Sequence, residues 1–223
     1  MHLNSELLFR KYFPKYFKSN IKVLEIGPAG IPSAYSKIVN DSTIQWDTLD
    51  FDSTKFIASS TSKLTYKITE PYDFPVPSDT YDIVLSGQVI EHVQEIWTWM
   101  NELKRVTKKN GLIITINPVS WPYHEAPIDC WRIFPSGITA LAKYCNLEVV
   151  HCTFESIELE QLLSKHKYIP RIPGKSYNYG KSTFYTKSVI LWNRIVRLIP
   201  FVKKIITIPI EVSYDTISIL KKL

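Results

Sequence analysis

The sequence predicts an α/β protein with a mostly parallel central sheet, helices on both faces, and a basic, amphipathic C-terminal tail. Three observations lead there. Short apolar, β-branched runs alternate with helical patterns, the signature of βαβ units. The runs are continuously apolar rather than alternating, as in strands covered on both faces. The first run ends in a glycine turn, where open α/β sheets bind ligands.

In chain order, residues 1–20 form an expected N-terminal helical segment that mixes basic residues with aromatics. It has no continuous apolar run, so a secretory signal is not expected. A main domain over 21–190 follows. Its expected strands are Lys22–Ile26, Ile44–Leu49, Leu64–Ile68, Tyr81–Ser86, Leu112–Ile116 and Leu147–Thr153. Val93, Ile96, Met100, Leu103 and Val106 recur at helical spacing, predicting a helix from about Val89 to Lys108. Lys108 and Lys109 would favour its C-terminal dipole, with Gly111 as the stop. A shorter helix is expected over Ser136–Cys145, with Ile138, Leu141 and Cys145 on one face, and a last strand over Ser182–Ile190.

The chain has 223 residues, enough for one well-buried domain with an appendage. Its net charge of +6 is uneven. From Thr186 onward there are seven basic residues and two acidic ones, so the main domain is close to neutral. That balance argues against a nucleic-acid partner. The three cysteines, Cys130, Cys145 and Cys152, are odd in number and match no metal spacing. They read as reduced thiols in a cytoplasmic protein, with no metal expected.

The tail over 191–223 interleaves lysines and arginines with Trp192, Ile195, Leu198, Ile199, Phe201 and Ile205. Its charge-free stretches fall far short of the ~20 residues that span a bilayer. It reads either as an interfacial segment lying on the membrane inner face or as a cover for the domain or a second copy in a homodimer.

The chemistry concentrates in few places. At the end of the first strand stands Val23-Leu24-Glu25-Ile26-Gly27-Pro28-Ala29-Gly30. Glycine there lets the backbone turn sharply and approach a ligand. Roughly twenty residues on, Asp47, Asp50 and Asp52 are placed to accept bonds from a ribose diol. A dinucleotide is disfavoured, because Ala29 and Pro32 stand where a phosphate-binding turn needs glycines. Glu25 lies within an apolar strand, where a carboxylate is costly without a partner. A cofactor ammonium would be one such partner, and a structural ion pair or backbone amides are the other reading.

The segment Val23–Gly30 resembles the first motif of class I S-adenosylmethionine-dependent methyltransferases, in the branch known as type 11. Thr48-Leu49-Asp50 resembles the acidic end of their second strand, and Glu70-Pro71-Tyr72-Asp73-Phe74-Pro75 their adenine loop. Tyr81–Val93, which contains Gln88-Val89-Ile90-Glu91-His92-Val93, is similar to their fourth strand and the helix after it. The resemblance covers about residues 20–155. Ala29 and Glu70 depart from the usual glycine and aspartate. It implies a Rossmann-like fold with S-adenosylmethionine as cofactor. Glu25, Gly27 and Gly30 would lie near its methionine part, with Gln88 close by. Asp50 would meet the ribose hydroxyls and Glu70 the adenine amino group. His92, one turn into the expected helix, reads as a structural residue packing on or capping the neighbouring loop.

After the fifth strand, Asn117–Arg132 carries two tryptophans, a tyrosine, a histidine and two carboxylates in a proline-stiffened loop. It resembles a loop found in a subset of these enzymes associated with bacterial surface glycan synthesis, which implies a sugar or glycan-precursor acceptor. Trp121, Tyr123 and Trp131 could cover C–H faces while Arg132 grips hydroxyl or phosphate groups. His124 is the candidate general base, since imidazole titrates near neutral pH, and Asp129 could orient it or replace it. The other reading of the loop is a folded cover, with both tryptophans packed inward and Asp129 paired to Arg132. The leading expectation is therefore O-methylation of a small polar acceptor. Methylation of a lipid or quinone-like molecule and a non-catalytic partner subunit are the alternatives.

Overall fold

A computed structural model describes residues 3–51, 64–125, 127–157, 188, 191–192, 194–196 and 213–223. A seven-stranded sheet organises them: β1 (Lys22–Ile26), β2 (Gln45–Phe51), β3 (Tyr66–Ile68), β4 (Tyr81–Gly87), β5 (Thr107–Pro118), β6 (Leu147–Glu155) and β7 (Asp215–Lys222). The spatial order is β3-β2-β1-β4-β5-β7-β6. β3, β2, β1, β4 and β5 run parallel to one another. β7 pairs antiparallel with both β5 and β6. The helices are α1 (Leu3–Tyr12), α2 (Ala34–Val39), α3 (Ile96–Val106) and α4 (Pro135–Tyr144).

Strand alternation sorts the apolar residues to two faces. Leu24, Val84, Ile113 and Leu220 pack under Trp99, Met100 and Leu103 of α3 and Ile138, Leu141 and Ala142 of α4. Val23, Ile83, Leu85, Ile114, Ile116, Ile217 and Ile219 pack under Leu8 and Phe9 of α1 and Tyr35 of α2. Glu25 follows Val23 by two residues and so shares the α1–α2 face.

Two expectations change. The long helix is divided: a 3-10 turn covers Ile90–His92, and α3 begins only at Ile96. α3 ends at Val106, and Thr107 turns to extended backbone while its hydroxyl donates to the Leu103 carbonyl at 2.7 Å. Lys108 therefore lies in β5, paired with Asp82 at 2.8 Å, and not in a helix terminus. The second change concerns the tail. Its last residues are not an appendage: β7 is an interior strand, with Asp215 to Leu220 buried. Thr216-Ile217-Ser218-Ile219 alternates with the period of a strand, and Ser218 meets Thr115 of β5 at 2.7 Å between their hydroxyls. The expected strand over Ser182–Ile190 lies outside the described residues except for Ser188.

Candidate active site at the carboxyl edge of the sheet

The parallel strands β1 and β4 end side by side, Ile26 level with Ser86, so the turns after them face the same edge. There they border a cleft of about 330 Å³ lined by Glu25, Gly27, Ala29, Ala34, Tyr35, Gly87 and Gln88. Gly27 has φ +65°, and a Cβ on it would come within 2.5 Å of Val89 Cγ2. Both facts require glycine, and its amide donates to the Leu49 carbonyl of β2 at 2.9 Å. Gly30 has φ +106° and open space where a side chain would stand.

Glu25 is 2% exposed. Its Oε2 accepts from the Ser33 hydroxyl at 2.5 Å and from the Trp46 indole at 2.7 Å. Burial pushes its pKa up to about 7, and these two bonds only partly offset that. Ser33 serves twice, since its hydroxyl oxygen also accepts from the Ser36 amide at 3.1 Å and caps α2. The Tyr35 hydroxyl is buried beside the cleft with no hydrogen-bond partner among the described residues. Ser33, Tyr35 and Trp46 were not among the residues expected from sequence. A hydroxyl or indole becomes informative only once the carboxylate it faces is known.

Gln88 borders the cleft with φ +61°. Its side-chain amide is directed elsewhere, donating to Ser5 Oγ at 2.9 Å and Asp215 Oδ1 at 3.1 Å. Asp215 also accepts from Asn4 Nδ2 at 2.5 Å, so this cluster ties α1 and β7 to the end of β4. Of the acidic residues on the second strand, Asp47 accepts from the Tyr81 hydroxyl at 2.8 Å. Asp52 lies outside the described residues. Asp50 stands at the end of β2, where its Oδ1 accepts from the Phe51 amide at 2.7 Å. Glu70 is exposed in the turn after β3.

The loop after β5 folds over the turn after β4. The Cys130 amide donates to the Glu91 carbonyl at 2.7 Å, and the Trp131 indole to the Val93 carbonyl at 2.7 Å. Trp131 thereby packs against the main core instead of facing an acceptor. Arg132 grips Asp129 through both terminal nitrogens, at 2.5 and 2.7 Å, and spends further donors on the carbonyls of Trp121, Pro122 and Trp131. The Arg132 guanidinium beside it brings the Asp129 carboxyl down to about 2, aided by the bond from the His124 amide at 2.8 Å. Asp129 and Arg132 therefore clamp the loop, and neither is offered to an acceptor. A carboxylate held that acidic is a poor base.

His124 remains the loop's available acid–base group. It is partly exposed, with Nδ1 3.4 Å from Asp129 Oδ2 and 3.1 Å from the Pro122 carbonyl. The Trp121 ring lies 6.4 Å away, edge-on. Tyr123 is 72% exposed and donates to Glu125 Oε1 at 2.6 Å. His92 does hold the loop, as expected, through Nδ1 at 2.5 Å from the Ile128 carbonyl. Glu91 was not foreseen. It is 1% exposed, neither carboxylate oxygen is hydrogen-bonded among the described residues, and burial pushes its pKa up to about 8.

Residues 8–115, from α1 through most of β5, match a family described as a methyltransferase domain. An uncharacterized methyltransferase of Schizosaccharomyces pombe is 29% identical over 115 residues, which are 46% of this chain and 41% of that protein. The chain thus spans about two-fifths of the length of that relative. Among solved structures, a SAM-dependent methyltransferase from Archaeoglobus fulgidus superposes with a TM-score of 0.57 at 17% identity. That match covers 97% of this chain and 92% of the other. Phosphoethanolamine N-methyltransferase 2 of Haemonchus contortus, in complex with S-adenosyl-L-methionine, gives 0.54 at 13% identity, covering 99% and 52%. The fold is that of the α/β methyltransferases, and S-adenosyl-L-methionine is the ligand named for the Haemonchus contortus structure. The cleft fits that group. It combines a buried carboxylate, whose hydrogen bonds from Ser33 and Trp46 both fall on Oε2, with a tyrosine hydroxyl unsatisfied among the described residues, and the cofactor ends in an ammonium and a carboxylate.

Proposed function

We propose that the protein is an S-adenosylmethionine-dependent methyltransferase acting on a hydroxyl of a small polar acceptor, a sugar or glycan precursor. The observation that carries this reading is the pairing of the Glu25–Tyr35 cleft with the His124 loop at one edge of the sheet. The bound cofactor supplies a methyl group on a sulfonium, a good leaving group. What the protein contributes is alignment, which accounts for roughly 7–11 kcal/mol in well-oriented reactions. Glu25, Gly27, Gly30 and Gln88 border the amino acid end, and Asp50 and Glu70 stand at the strand ends on the ribose and adenine side. Trp121 and Tyr123 offer the acceptor aromatic surface, and His124 takes the hydroxyl proton.

The test has two arms. S-adenosylhomocysteine should raise the melting temperature of the full chain, and methyl-tritiated cofactor should label a nucleotide-sugar or glycolipid fraction of an extract. No thermal shift would favour the non-catalytic partner reading, while label in protein or quinone fractions would replace the acceptor class.

A second reading places the protein at a membrane surface, where a lipid-linked or quinone-like acceptor would be met. Leu191, Trp192 and Ile195 are exposed in helical backbone, which supports it. Among the described residues no helix is long and apolar enough to cross a membrane. Changing these three residues to serine should abolish flotation with anionic liposomes. Wild-type protein that stays at the bottom of the gradient removes the reading, and sedimentation of the same pair tests whether the patch joins two copies.

A further inference from the structure

We infer that Glu91, His92 and His124 form a binding site for one divalent first-row transition metal ion. Three observations, all outside the cofactor cleft, converge on it. One ligand atom from each side chain lies within 4.8 Å of the other two. Donors around a shared ion stand about 3–4 Å apart, so the site needs a contraction of about 1 Å to close. Glu91 is buried, and neither of its oxygens has a hydrogen-bond partner among the described residues. A buried carboxylate without a partner is costly, and a cation would relieve it. Arg132, the nearby cation, is already engaged by Asp129.

The histidines are arranged as ligands. His92 Nδ1 is fixed on the Ile128 carbonyl, which sets the tautomer in which Nε2 carries the lone pair. That Nε2 stands 3.7 Å from Glu91 Oε1. The two imidazole rings meet edge-on with centroids 4.9 Å apart, and His124 is partly exposed, which gives an entry path. Two imidazoles and one carboxylate suit manganese, iron, cobalt, nickel or zinc, not the all-oxygen preference of magnesium or calcium. The elements that form the site are the turn after β4 and the loop after β5. A metal would cross-link them in addition to the hydrogen bonds and the ring contact that join them now.

The inference departs from the sequence expectation of no metal, because Cys spacing was the signal weighed there and no cysteine takes part. It concerns ion binding alone and stands whether or not the chain transfers methyl groups. In loaded protein His124 is a ligand, and the general-base role belongs to the metal-free form.

The experiment uses the full chain, stripped with a chelator and titrated with cobalt(II), a coloured stand-in for zinc. The expected result is one cobalt per chain, with visible absorption typical of low coordination number and a raised melting temperature. Glu91→Gln and His124→Ala should each weaken binding at least tenfold. His151→Ala, on β6, should bind as wild type does. Circular dichroism of the stripped proteins checks that the variants fold, and Glu91→Asp, which keeps the charge, serves if the glutamine variant does not. Absence of stoichiometric cobalt binding by wild type, or equal binding by the folded Glu91 and His124 variants, overturns the site.

Discussion

At the scale of single residues, the buried carboxylate of Glu25 carries the most information. Glu25 is held by Ser33 and Trp46, yet its pKa stands near 7 because burial outweighs both bonds. Its folded pKa exceeds the unfolded value, so the stability it contributes is complete below about pH 4.5 and is lost as pH rises through about 7. The span corresponds to on the order of 3 kcal/mol. Glu25→Gln keeps an acceptor for both donors and removes the titration, so the melting temperature of the ligand-free variant should change less between pH 5 and 8. An unaltered slope would show that another group governs that range. The same variant should lose part of the thermal shift caused by S-adenosylhomocysteine. For His124, alanine should lower turnover by about 10²–10⁴-fold while leaving that thermal shift nearly intact. Undiminished turnover would remove His124 from the chemistry.

At the scale of elements, the loop after β5 is the part whose meaning changed. Its sequence offers seven polar or aromatic side chains to an acceptor, but much of that set is spent on holding the loop. Asp129, 1% exposed in its side chain, binds Arg132 and the His124 amide, while Trp131 binds Val93. Asp129→Asn should therefore act first through stability, costing about 1–3 kcal/mol for the weakened charged bonds. A lower urea midpoint with earlier proteolysis within 117–134 checks this. A large loss of turnover at unchanged midpoint would instead restore Asp129 to the chemistry. The short turn over Ile90–His92 matters equally. Had the helix begun at Val89, as its periodicity suggested, Glu91 and His92 would occupy different faces from those they show. Hydrogen bonds with the crossing loop, at the Ile128 carbonyl and from the Cys130 amide, hold the turn, and periodicity cannot register them.

At the scale of the whole molecule, β7 decides what can be removed. Ile217, Ile219 and Leu220 are fully buried, each contributing about 1.5–3 kcal/mol, against a net stability of about 5–15 kcal/mol for a typical domain. Deleting residues 215–223 should therefore unfold the domain, visible as loss of near-ultraviolet circular dichroism. A truncated chain that keeps a cooperative melt would show the strand to be dispensable. For the same reason membrane binding has to be tested by surface substitutions, since cutting the chain at Lys187 would remove an interior strand together with the exposed helix.

Local pattern was enough to read the parallel half of the sheet, the glycine turn and the carboxylate of Glu25. Continuous apolar runs and a charge within one of them are properties of neighbouring residues, and the sequence carries them directly. Only the tertiary structure could decide the rest. It brings Asp215 to Asn4 and Gln88, inserts a basic tail between β5 and β6, joins Asp129 to Arg132, and gathers Glu91, His92 and His124. Hydrogen bonds and burial depend on which distant segments meet, and for β7 the partners lie about a hundred residues back along the chain, on β5.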